Sequence, residues 1–176
     1  AAKTRAEDVG ELTMSMLRGE EGNQARDLEE MIAWFRTQPP LDVICLSNAL
    51  LVGMARKLKA EFKAPVICYL QGEDAYLDSL PEELRKPTWD LLMQRSADVD
   101  LFIAPSQYFA EVMSKRLQLP PSKMQVVYNG INLEGYEPST PPPNPPVIGY
   151  FARMWREKGL DTLVEAYIAL RKRVNT

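Results

Sequence analysis

The sequence predicts an α/β fold, a parallel sheet flanked by helices, followed by the opening of a second unit. Three observations predict it. Four short apolar runs, "DVICLS", "APVICYL", "DLFIAPS" and "MQVVYNG", alternate with stretches of helical spacing, the pattern of βαβ units. The runs are almost continuously hydrophobic, as parallel strands covered on both faces are. The composition then breaks at "EPSTPPPNPP", residues 137–146, six prolines in ten residues, which suits a stiff extended connector and neither helix nor central strand.

Taken in order, residues 7–37 carry helical periodicity, with Leu28, Met31, Ile32 and Phe35 on one stripe, and divide into two helices near Gly19 to Asn23. The first strand spans about 42–47. Residues 48–62 follow as a helix with Asn48 as its cap. The second strand runs directly into a polar turn, Gln71-Gly72-Glu73-Asp74. Residues 82–96 are helical, with Pro87 starting or kinking the element. The third strand ends at Pro105-Ser106, where Ser106 caps a helix over 107–117, and the fourth ends in Asn129-Gly130, read as a tight turn of the type I′ kind. Right-handed crossovers are expected to put helices on both faces of the sheet. After the prolines, "VIGYFA" restarts as a strand and "GLDTLVEAYIALRKR" as a helix. The expected division is 1–137 as the first domain, expected to lack its first strands, 138–146 as the linker, and 147–176 as the first, truncated βα unit of a second.

Composition narrows the function classes. The chain has 176 residues, 45% hydrophobic and 26% charged, the balance of a globular protein able to bury roughly two-thirds of its unfolded surface. A net charge of −3 argues against a general nucleic-acid or anionic-membrane surface. There is no histidine, which removes His-based metal sites and every Ser-His or Cys-His catalytic arrangement within the chain. Cys45 and Cys68 each sit in an apolar run and are expected as buried free thiols of a reduced compartment. No apolar run reaches membrane-spanning length, no leader opens the chain, and its ends read as those of a cytoplasmic fragment.

In open parallel sheets, ligands bind outside the carboxyl ends of the strands. The polar turns expected there make Gln71, Gly72, Ser106, Asn129 and Gly130 cleft-lining candidates. A second cluster lies in "GYFARMWREKGL", residues 149–160, where Arg153, Arg156 and Lys158 crowd a strand-to-helix turn. A helix N-terminus already carries partial positive charge, so cations gathered there need either solvent or an anion. Two readings fit: a phosphate site, with charge-assisted hydrogen bonds from Arg and Lys, or a solvated loop with Glu157 and Asp161 as neighbours.

The order "VVYNGIN", a linker, then "IGYFAR", four residues and "KGLDTLVEAY", together with "DLFIAPSQYFAEVM", resembles glycosyltransferase family 4, of the GT-B fold. The resemblance is close over about 65–176 and architectural before that. It implies a Rossmann-like N-terminal, acceptor-side domain and the start of a donor-binding domain. It further implies transfer of a hexose from a nucleotide-diphosphate sugar to an acceptor hydroxyl, with retention. Arg153 and Lys158 fall on the family's donor-diphosphate cations, whereas Arg156 falls on a variable position. Such enzymes use these cations in place of a bound metal, so neither metal nor further cofactor is expected. Glu73 and Asp74 lie in an acceptor-side loop where the family often has a histidine; Gln71 or Glu73 stands in its place. These two carboxylates are candidates to orient an acceptor hydroxyl, or else Asp74 simply caps the next segment. Asn132 replaces the more usual Asp.

Tyr76, Trp89 and Trp155 are candidates to stack on sugars, with core packing the stronger reading of each. Glu157 and Glu165 have the spacing of the family's donor-sugar pair but stand too early in the chain; Glu21 and Glu29 show the same spacing by chance. The fragment alone is expected to be inactive. Two other readings remain open: a nucleotide-sugar epimerase of the same fold, and a non-catalytic Rossmann-like binding domain. The sugar, the acceptor and the oligomeric state are not fixed by the sequence.

Overall fold

The computed structural model describes residues 6–137, 141, 143–154 and 156–174. Trp155 and part of the proline-rich stretch lie outside these. The chain divides into two compact units, Ala1–Ile131 and Asn132–Thr176.

In the first unit, helix α1 (Ala6–Arg18) ends in a 3₁₀ turn (Gly19–Glu21), and helix α2 (Ala25–Phe35) follows. Strand β1 (Ile44–Leu46) leads into a 3₁₀ segment (Ala49–Met54) that continues as helix α3 (Ala55–Phe62). Strand β2 (Val66–Tyr69) is followed by helices α4 (Glu73–Asp78) and α5 (Glu82–Arg95). Strand β3 (Leu101–Ala104), helix α6 (Gln107–Leu117) and strand β4 (Met124–Val126) complete it. The break expected near Gly19 has a steric cause. Gly19 sits at φ +61°, and a Cβ there would collide with the carbonyl oxygen of Gly53, so only glycine lets the end of α1 lie on the 3₁₀ segment. Pro87 lies inside α5 without ending it.

The four strands pair in parallel in the order β1-β2-β3-β4. This is an α/β, Rossmann-like sheet flanked by helices. One expectation is corrected: the helices do not cover both faces. Strands added one after another in a single direction, each by a right-handed crossover, place every connecting helix on the same side. Burial follows that rule. Leu46, Val66, Cys68, Phe102 and Ala104 point to the helical side and are buried. Their alternates Cys45, Ile67, Tyr69, Leu101 and Ile103 are exposed or half-buried. Cys45, expected inside, is therefore exposed, while Cys68 is buried and burial pushes its thiol pKa up. The core lies between the sheet and α1, α5, α6 and the 3₁₀ segment, around Phe102, Leu17, Ile32, Leu77 and Leu92.

In the second unit, a 3₁₀ turn (Arg156–Lys158) precedes helix α7 (Leu160–Val174). "VIGYFA" does not form the expected strand. Residues 147–152 pair with nothing among the described residues, since a strand needs a neighbour to take up its backbone groups.

Candidate functional site

The carboxyl ends of β1 to β3 open into loops held by side-chain caps. Asn48, at φ −161°, accepts at Oδ1 from the Leu50 N–H at 3.0 Å and starts the 3₁₀ segment. Ser106, at φ −158°, accepts at Oγ from the Phe109 N–H at 3.1 Å and starts α6, as expected of an N-cap. Ser106 is thus committed to the helix while remaining half-exposed at the edge.

Between these loops stands Glu73. Gly72 at φ +91°, with open space where a Cβ would be, reverses the chain after β2 so that Gln71 remains exposed while Glu73 turns inward. Only 6% of Glu73 is exposed. Its Oε1 accepts from the Ala49 N–H at 2.8 Å and its Oε2 from the Gln71 N–H at 2.9 Å. One buried carboxylate therefore ties the loop after β1 to the loop after β2. Both carboxylate oxygens of Glu73 are thereby occupied. The expected four-residue turn is accordingly shorter, because Glu73 and Asp74 already belong to α4. Asp74 is half-buried and has no hydrogen-bond partner among the described residues.

Helix α4 is itself anchored at its far end. Asp78 accepts from both Arg116 Nη1 and Nη2 at 2.6 Å and from Trp89 Nε1 at 3.0 Å, and the Arg116 guanidinium lies 4.6 Å from the centre of the Trp89 ring. The Arg116 hydrogen bonds, aided by Trp89, hold the Asp78 carboxyl below its ordinary pKa. Tyr76 also belongs to the framework: its hydroxyl lies 2.6 Å from Thr13 Oγ1 and 3.3 Å from the Val9 carbonyl. Neither Tyr76 nor Trp89 is free to stack on a ligand without dismantling these contacts.

Asn129-Gly130 departs from expectation. Both residues are exposed in a segment without regular structure, and Gly130 does not have the positive φ that a type I′ turn requires. The turn falls later, where the Tyr136 N–H bonds the Leu133 carbonyl at 3.0 Å and Gly135 takes φ +82°.

In the second unit, Arg153, Arg156 and Lys158 are all exposed, and none is ion-paired among the described residues. The Tyr150 hydroxyl donates to the Arg153 carbonyl at 3.1 Å, which fixes the backbone ahead of the 3₁₀ turn. Gly159, at φ +70°, closes that turn with its N–H on the Arg156 carbonyl at 3.0 Å, and its own carbonyl accepts from Leu163 at 2.9 Å. The cations stand on the approach to the N-terminus of α7, whose first turn carries only Asp161 as a counter-charge.

Among the described residues, the edge and the cation turn are where the site residues expected from the sequence lie. A comparison with curated proteins gave no match. The family model described as Glycosyltransferase Family 4 matches residues 10–134. That match spans α2, all four strands and the loop bracketed by Glu73, most of the chain, and so the chain belongs to glycosyltransferase family 4.

Proposed function

We propose that the protein transfers a hexose from a nucleotide-diphosphate sugar to an acceptor hydroxyl, with retention of configuration. Residues 1–137 are in this reading the acceptor-side domain, 138–146 the connector and 147–176 the opening of the donor-binding domain. The observation that carries it is the approach to α7, where Arg153, Arg156 and Lys158 are exposed cations without ion-pair partners among the described residues, ahead of a helix N-terminus. Glycosyl transfer builds negative charge on the departing diphosphate. Arg153 and Lys158 answer that charge with charge-assisted hydrogen bonds, and the free N–H groups of α7 add to the same field. In this reading the two cations do the work a metal does elsewhere, and no further cofactor is invoked.

On the acceptor side, Glu73 shapes the loop and Asp74, whose oxygens are uncommitted, orients the acceptor hydroxyl. Gln71, exposed beside them, supplies a neutral donor and acceptor where related enzymes often have histidine.

The test is binding of UDP and GDP to the intact protein by calorimetry. At least one should bind, and Arg153→Ala and Lys158→Ala should each weaken it roughly tenfold or more, as loss of a charge-assisted contact does. Arg156→Ala should change it little. Equal binding by all three variants would remove the diphosphate assignment.

A further inference from the structure

The sequence offers Tyr76 and Trp89 for sugar contact, and the structure commits both to other partners. Two different rings stand at the carboxyl edge. Tyr108 is the second residue of α6, directly beyond the Ser106 cap, and is 75% exposed; Tyr128 is two residues past β4 and 71% exposed. Strands β3 and β4 are neighbours, with Ala104 opposite Val126 and the Val127 N–H on the Ala104 carbonyl at 3.0 Å. The two segments that carry these tyrosines therefore leave the sheet side by side. Neither hydroxyl has a hydrogen-bond partner among the described residues.

The chemistry of the rest of the edge is one-sided. Segments 47–49, 70–74, 105–108 and 127–130 contain no Lys or Arg, and their acids are the occupied Glu73 and the half-buried Asp74. What remains is neutral and hydrogen-bonding: the side-chain amides of Gln71 and Asn129 have no partner among the described residues, and Ser47, Asn48, Ser106 and Gln107 keep part of their capacity beside the local bonds they already make. Within these segments an anionic ligand would find a carboxylate and no cation, and Arg116, which acts on Asp74 from α6, is already committed to Asp78, so the ligand's desolvation would go poorly compensated. An uncharged polyhydroxylated ring suits the surface, because its C–H face covers an aromatic ring and its hydroxyls meet amides and hydroxyls that both donate and accept.

We propose that Tyr108 and Tyr128 form a stacking platform for a neutral sugar ring of the acceptor, and that this edge selects an uncharged glycoside over a phosphorylated or acidic one. The inference rests on the acceptor-side reading of this edge given above and adds the substrate class to it. The alternative occupant of Tyr128 is protein, because Val127, Ile131 and Leu133 around it are exposed as well.

The experiment is an amide-resolved NMR titration of the intact protein. The probes are the methyl glycosides of glucose, galactose and mannose, with glucose 6-phosphate and glucuronate as charged counterparts. At least one neutral glycoside should move the amides of Gln71, Tyr108 and Tyr128, while both charged sugars bind at least tenfold more weakly. Tyr108→Ala and Tyr128→Ala should each weaken binding roughly threefold to tenfold, the span of one aromatic contact, with Tyr→Phe at either position restoring it. Shifts confined to other residues, equal binding of the charged sugars, or no glycoside binding at all would each overturn the proposal. UDP titrated separately reports on Arg153 and Lys158. UDP binding without glycoside binding sinks only the acceptor platform, and the converse sinks only the donor reading.

Discussion

At the scale of single residues, the Glu73 carboxylate separates two roles that the sequence leaves together. Both of its oxygens hold backbone N–H groups, one on Ala49 and one on Gln71. Glu73→Gln keeps the shape but presents an amide N–H₂ to one of these donors, leaving it buried and unsatisfied. The expected cost is about 1–3 kcal/mol, read as a lower melting temperature, with faster hydrogen exchange at Ala49 and Gln71. Were Glu73 instead a proton-transfer group, the same change would lower turnover at unchanged stability. Sequence alone shows two adjacent acids after a strand; which one turns inward depends on the positive φ of Gly72, and that only the backbone reveals. Ser106 was legible for the opposite reason, since an N-cap is a local interaction within three residues. The exposure of Tyr108 and Tyr128 was not legible because it is a property of the folded surface, whereas Tyr76 and Trp89, offered by the sequence, prove to be held by Thr13, Asp78 and Arg116.

At the scale of elements, helices were read closely and the weakly supported strand was not. The helix expected over 107–117 is α6, Gln107–Leu117, because a serine cap and a helical apolar stripe mark both its start and its buried face. "VIGYFA" has strand composition but no partner strand among the described residues, and β propensity expresses packing on neighbours more than a backbone preference. The junction of α4, α5 and α6 at Asp78, Trp89 and Arg116 makes a pH prediction. The folded-state pKa of Asp78 is lowered, chiefly by its hydrogen bonds to Arg116. Its contribution to stability is therefore present above the ordinary carboxylate pKa of about 3.9, and is lost as pH falls through the lowered value. Melting temperatures measured from pH 6 to pH 2 should show wild type more stable than Asp78→Asn at the upper end, with the two curves converging at the acid end. Parallel curves would mean that the ion pair contributes nothing to folding, as many exposed pairs do.

At the scale of the whole molecule, the consecutive strand order decides the architecture. Periodicity announces βαβ units, yet it does not say on which side each new strand is added, and that choice determines whether helices fall on one face or two. The structure adds every strand in one direction, leaving Cys45 exposed on the open face and Cys68 beneath the helices. Iodoacetamide under native conditions should accordingly alkylate Cys45 readily and Cys68 only after denaturation, as mass spectrometry would show; equal labelling would contradict the one-sided sheet. No helix among the described residues is long and apolar enough to cross a membrane. The sheet, the loop bracket and nearly all of the family match lie in the first unit, and the cations proposed for the donor lie in the second. The central claim is that Arg153 and Lys158 stabilise the departing diphosphate, and turnover of a nucleotide-sugar donor by the intact protein tests it most directly. With a panel of UDP- and GDP-hexoses, Arg153→Ala should lower kcat by about 10²–10³-fold, the loss typical of a group that meets transition-state charge, while Arg156→Ala stays close to wild type. An Arg153→Ala protein with undiminished turnover would contradict the account.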